Sequence, residues 1–230
     1  MTGLHRQIGG GIRTEVSALA LAGGMVFLAG ATDVYGLSQL RDLFVSFMSG
    51  NTTSLGVAIG SGDGGRAATA AALVALFVVG AASGTVLAEW AGRWHSVVVM
   101  VAVTLLLTFA AAVPSLAIHS VVLAMGALNA AFSRIGVTSV SLTYVTGALV
   151  KFGQGLGRLV IGRSGGDWSW TVQGVMWGCL LAGAIVERCA QAHLAGAAEV
   201  WALAGIALLL TVGTVWEMLG VERPGSVERM

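Results

Sequence analysis

Between Phe44 and Gly60 the chain reads FVSFMSGNTTSLGVAIG, and Ser46, Ser49, Asn51, Thr52, Thr53 and Ser54 place six hydrogen-bonding side chains within nine residues. Hydroxyls and a single amide suit the recognition of a small polar or weakly charged solute. They lack the carboxylate density of a divalent-cation site. Gly50, in their midst, permits a backbone break or a close helix contact. Two readings stand. The Ser and Thr side chains either bond back to their own helix and join neighbours, or line a polar cavity. Asn51 favours the cavity, because an amide cannot satisfy all its bonds on its own helix.

A second segment, Val137–Gly157, carries Thr138, Ser139, Ser141, Thr143, Tyr144 and Thr146, with Lys151 and Gln154 toward its end. Asp33 lies inside the first apolar run, and an intramembrane carboxylate is a functional candidate by default. The alternatives are a residue near the membrane edge that pairs with Arg41, or one that caps the next segment. Asn129 is its uncharged counterpart, and Arg134 follows five residues later, as a headgroup anchor or a contact for an anionic substrate. Glu89 and Glu187 each stand six residues before a histidine, a spacing that does not share a helical face, so both are expected at the interface.

Enzyme signatures are missing. No HExxH, GxSxG or Walker A pattern occurs. Gly153-Gln-Gly-Leu-Gly157 runs into Arg158 where a dinucleotide fingerprint needs glycine, and Gly60-Ser-Gly-Asp63 puts its acid in a glycine-rich loop. The four histidines are dispersed, and Cys179 and Cys189 form no CxxC pair. No catalytic residue, metal or cofactor is expected.

These residues must be held by membrane helices. Hydrophobic residues make up 56% of the 230, charged residues 10%, and mean hydropathy is +0.86. A soluble globule is typically about 25% charged. Twenty-three charges cannot coat one of this size, and the net charge of +1 argues against a nucleic-acid partner. With about 20 apolar residues per crossing, six strong spans emerge: Val16–Leu37, Ala68–Trp90, Ser96–Val113, Ser115–Ser133, Trp170–Val186 and Ala197–Val215. The two polar segments are long enough to be broken or re-entrant helices. A secretory signal over residues 1–35 is set aside because its apolar run is echoed later in the chain.

With eight spans, Arg6, Arg13, Arg66, Lys151, Arg158, Arg163, Arg223 and Arg229 face Arg41, Arg93, Arg134 and Arg188 across the bilayer. With six, the split is nine against three. Either count puts both termini in the cytoplasm. Self-comparison then pairs Gly30–Asp33 with Gly126–Asn129, Ser49-Gly50 with Thr146-Gly147, Gly56 and Gly60 with Gly153 and Gly157, and Gly80 with Gly178. The expected organisation is a cytoplasmic segment 1–15, membrane repeats 16–113 and 114–216, and a cytoplasmic tail 217–230.

FVSFMSGNTTSLG after a helix ending in Asp, followed by GALNAAFSRIG and TYVTGALVKFG, resembles the YoaK-like bacterial inner-membrane proteins, a family of unknown function usually described with six spans. The likeness covers roughly residues 16–215. It falls on Asp33, Phe44, Ser46, Ser49, Gly50, Asn51, Thr52 and Thr53, then on Asn129, Arg134, Gly136, Thr146 and Gly147. Leu128 and Ala148 depart from it, where polar residues are common, and leave the second half less polar. The residues together lead to an internally duplicated, non-enzymatic all-α membrane transporter or channel for a small polar solute. Asp33, Ser46, Ser49, Gly50, Asn51, Thr52, Thr53, Asn129, Arg134, Tyr144 and Thr146 are its candidate site. The alternative is a scaffold or sensor packed on a partner membrane protein, and a homo-oligomer is compatible with both.

Overall fold

The structure, a computed structural model, describes the backbone of residues 2–132, 145–163, 166, 168–194 and 196–221, and side chains over 16–130, 145–163, 166, 168–194 and 196–220. Among the described residues there are eight α-helices and no strand: α1 (Thr2–Leu40), α2 (Met48–Gly60), α3 (Gly64–Ala91), α4 (His95–Ala112), α5 (Ala117–Phe132), α6 (Val145–Val160), α7 (Ser169–Ala190) and α8 (Ala197–Val221). Each of the six apolar spans read from the sequence coincides with a helix. The two polar segments contain α2 and α6. The chain is an all-α integral membrane protein. Val16–Leu40, Ser169–Ala190, Ala197–Gly220 and the α3–α4 stretch Gly64–Ala112 are long and apolar enough to cross a bilayer.

Local sequence sets the breaks. Asp63 accepts the Arg66 amide at 2.9 Å and starts α3. Gly92, at φ +53°, ends it, and Pro114 opens the short turn between α4 and α5. At 13 residues, α2 is about 20 Å long, short of a ~30 Å hydrocarbon core. The remaining depth is taken up by the loop 41–47.

Packing places α1, α4, α5 and α8 at the centre, α3 beside α5, and α7 beside α1. The α2 helix lies against α3, and α6 against α7. Met25, Leu28, Leu107, Val121, Met125 and Leu203 fill the middle. Thr104 and Thr211 share a 2.8 Å hydroxyl bond between α4 and α8, which spares two polar groups from the apolar core. On α1 and α8, Leu21 meets Gly213 and Gly24 meets Leu210, while Ser17 reaches Glu217, so the two helices are antiparallel.

Two parallel crossings hold the bundle together. Gly30 of α1 abuts the Leu180 carbonyl of α7, and Gly183 of α7 abuts the Phe27 carbonyl of α1. Likewise Gly126 of α5 abuts the Phe77 carbonyl of α3, and Gly80 of α3 abuts the Leu123 carbonyl. No Cβ fits at any of these four positions. In lipid, where apolar association gains nothing from water release, such close backbone approach is what joins helices. Gly183→Ala or Gly126→Ala is therefore expected to cost about 1–3 kcal/mol or more through overpacking. Gly178→Ala, with nothing within 4 Å of its Cβ position, is expected to be neutral. Thermal midpoints of the detergent-solubilised proteins check the contrast.

Candidate functional site

Asp33 sits seven residues before the end of α1, about 10 Å below it along the helix axis. The chain turns sharply there: Arg41 (φ 50°) and Asp42 (φ 73°) are both left-handed, a conformation costing roughly 1–2 kcal/mol per non-glycine residue. The loop then descends beside α1, bringing its amides to the carboxylate. Asp33 Oδ1 accepts the backbone N–H groups of Val45 (3.0 Å), Ser46 (2.7 Å) and, more weakly, Phe47 (3.4 Å). Ser46 Oγ donates to Oδ2 at 2.7 Å. Both oxygens are engaged, and Ser46 is fully buried.

This arrangement caps a helix from outside. Phe47, at the N-terminus of α2, supplies no capping side chain. The donors just ahead of α2 and its dipole therefore meet a carboxylate lent by α1. Charge-assisted bonds to amides make the buried carboxylate tolerable where an unpaired one would not be. Of the readings open for Asp33, capping of the next segment is the one its bonds express. Arg41 lies exposed at the turn.

Asn51 locks the same loop from the other side. Its Oδ1 accepts the Phe44 N–H at 2.8 Å and its Nδ2 donates to the Phe44 carbonyl at 2.7 Å. The amide is satisfied by loop backbone, not by cavity water. Phe44 and Phe47 meet edge to face at 5.2 Å. A Cβ on Gly50 would press into both rings, so the glycine makes room for them. Ser49, Thr52 and Thr53 face outward. Thr52 Oγ1 donates to the Met48 carbonyl (2.8 Å) and Thr53 Oγ1 to that of Ser49 (3.1 Å). The polar segment thus divides by face: Ser46 and Asn51 build the loop, while the outward threonines bond back along their own helix.

A half-open cavity of about 270 Å³ lies between α1, α7, this loop and the start of α6. Val34, Leu37, Phe47, Leu180 and Ala184 form apolar walls, and Asp33 and Ser46 supply the polar side chains. Val145 closes one side. In the second half, Asn129 Nδ2 donates to its own helix at the Met125 carbonyl, 2.9 Å away. Thr146 is exposed at the start of α6, beside buried Gly147. Arg134, Gly136 and Tyr144, with Thr138, Ser139, Ser141 and Thr143, lie outside the described residues.

Sequence reasoning missed a second polar cluster. Glu187 and Glu199 are both about 4% exposed, whereas Glu89 is exposed. Gln191 Nε2 donates to Glu199 Oε1 at 2.7 Å and to Ser38 Oγ at 3.3 Å, linking α1 with the entrance to α8. A signal was present: Gly183, Glu187 and Gln191 recur every four residues, so the acid shares the face of the glycine that crosses α1.

Replacing Asp33 by Ala strands three amides and a hydroxyl, at about 1–3 kcal/mol for each group left unsatisfied. Loss of folded protein, or a large fall in its melting temperature, is the expected result. Asn51→Ala is expected to follow at a smaller cost, and Thr52→Ala to stay within about 0.5 kcal/mol. Size-exclusion profiles and melting curves of the three variants check the order.

The profile of the family described as "Protein of unknown function (DUF1275)" matches residues 21–213, which include α2, the Asp33 loop and both glycine crossings. A UPF0700 transmembrane protein from Rhizobium meliloti (strain 1021) is 40% identical over 202 residues, covering 86% of this chain and 87% of that protein. No solved structure matches significantly. The loop anchored on Asp33 and the helices that carry it are thus those of the DUF1275 family, to which this chain belongs.

Proposed function

We propose that this protein is a bacterial inner-membrane transporter or channel for a small polar solute, with the cavity beside Asp33 as its binding site. One observation carries the reading: a half-open cavity inside the span, at the level where the backbone breaks and the amides leading into α2 converge on a carboxylate. Backbone broken at membrane depth is tolerated where protein or a cavity satisfies it, and helix starts of this kind form solute sites in many carriers. The accessible walls of the cavity are almost wholly apolar, with Asp33 and Ser46 turned to the loop's own donors. Ser49, Thr52 and Thr53 are exposed and are not among the lining residues of this cavity.

We also read the chain as two parallel repeats, 16–113 and 114–216. The glycine crossings support this: Gly30 with Phe27 on α1 corresponds to Gly126 with Leu123 on α5, an offset of 96 residues. On this reading Gly80 corresponds to Gly183 rather than to Gly178. Four helices per repeat match the eight-span distribution of basic residues, with both termini cytoplasmic. No enzymatic step is proposed.

The alternative of a non-transporting scaffold is favoured by a specific observation as well. Both Asp33 oxygens are already taken by the protein's own donors. Cysteine accessibility separates the two readings. With Cys179 and Cys189 replaced by Ala, Val34→Cys and Ala184→Cys are expected to react with a polar, membrane-impermeant thiol reagent. Leu209→Cys, 73% exposed on an outer helix face, is not. Unreactive cysteines at both cavity positions in folded protein would rule out a water-filled pathway there and favour the scaffold.

A further inference from the structure

One turn along α7 from Ala184, which lines the cavity, Glu187 faces Glu199 at the start of α8. The two side chains are within hydrogen-bond reach, yet both are acceptors when ionised. Glu187 Oε1 is fully enclosed and meets no donor among the described residues. The surrounding groups do not fill that gap. The Gln191 amide is directed to Glu199 and Ser38, and its oxygen accepts from Arg188 Nη1 at 3.1 Å. From α1 the pair is faced by Tyr35, which interacts electrostatically with Glu199. Asp33, two residues earlier, is occupied by the loop amides. Two carboxylates in a low-dielectric interior cannot face each other bare, so the arrangement requires a positive charge between them.

We infer that Glu187 and Glu199 together form an intramembrane proton-binding site, in which one exchangeable proton bridges the two carboxyl groups and ties α7 to α8 beside α1. The proton comes from water and returns to it, and no other bond changes. With the proton in place, one carboxyl donates to the other, and the pair carries a single negative charge stabilised by the Gln191 amide. When it leaves, two facing anions push α7 and α8 apart. The cavity lies one turn away on the same helix, so occupancy of the pair would be felt there. The proton site itself does not depend on whether the cavity transports.

The sign of the effect follows. Stability that depends on the shared proton is present at low pH and lost as pH rises. The full-length protein in detergent is melted from pH 5 to pH 9, alongside Glu187→Gln and Glu199→Gln. An amide in place of either carboxyl supplies a permanent donor, so both variants are expected to show flat profiles. The unmodified protein is expected to fall by about 3–6 °C across the range, the shift a protein of this size shows for a modest loss of stability. Infrared difference spectra of the unmodified protein provide a readout that needs no variant to fold. A protonated-carboxyl stretch that disappears at high pH supports the site. Its absence at every pH, or a melting profile parallel to that of Glu187→Gln, overturns it. A midpoint governed by sodium concentration and indifferent to pH would assign the pair to a metal cation and also overturn the proton.

Discussion

A carboxylate fixed about ten ångströms below the end of a membrane helix is taken up by the chain's own donors. Asp33 gathers the amides of Val45, Ser46 and Phe47 and the Ser46 hydroxyl, drawing a seven-residue loop down into the bundle. Much else follows from that one anion. The amides leading into the next helix find their acceptor there. The loop can hold two left-handed residues, and the cavity exists because descending backbone fills space less completely than a continuous helix would. Asn51 performs the complementary task for Phe44, so the loop is fixed at both its middle and its start.

Around this anchor the helices are joined by absence of side chain. At the α1–α7 and α3–α5 crossings, glycine lets one backbone touch another's carbonyl, and dispersion over that close contact does the work that water release does in soluble proteins. The polar bonds between helices are few and placed with economy, as with the Thr104–Thr211 pair in the core and Gln191 at the rim. Glu187 stands out against this background, since its Oε1 and Trp170 Nε1 are the enclosed side-chain atoms that find no partner among the described residues.

Legibility in the sequence followed the range of the interaction. The spans were plain because twenty apolar residues in succession have one physical use, and each became a helix. That Asp33 and the Ser46–Thr53 segment belonged together was also visible, but their relation was not. Nothing in FVSFMSGNTT says which hydroxyls turn inward, since that depends on the phase of a helix entered through a loop bonded to Asp33, fifteen residues before the helix begins. Asn51 was read as a cavity residue because a backbone partner seven residues back lies outside any local pattern. Glu199, in the first turn of α8, has by dipole arguments alone the look of a helix-start acid. Only the approach of α7 shows that it is enclosed.

The brevity of α2 bears on how the protein is made. Thirteen residues cannot hold a segment across a bilayer, and the amides ahead of it would enter hydrocarbon bare. During synthesis α1 emerges first, carrying a carboxylate that has no partner until the loop is complete. The segment that follows is too polar and too short to be retained alone. Carboxylate and amides complete one another, so α1 and the loop into α2 reach their folded arrangement only as a pair.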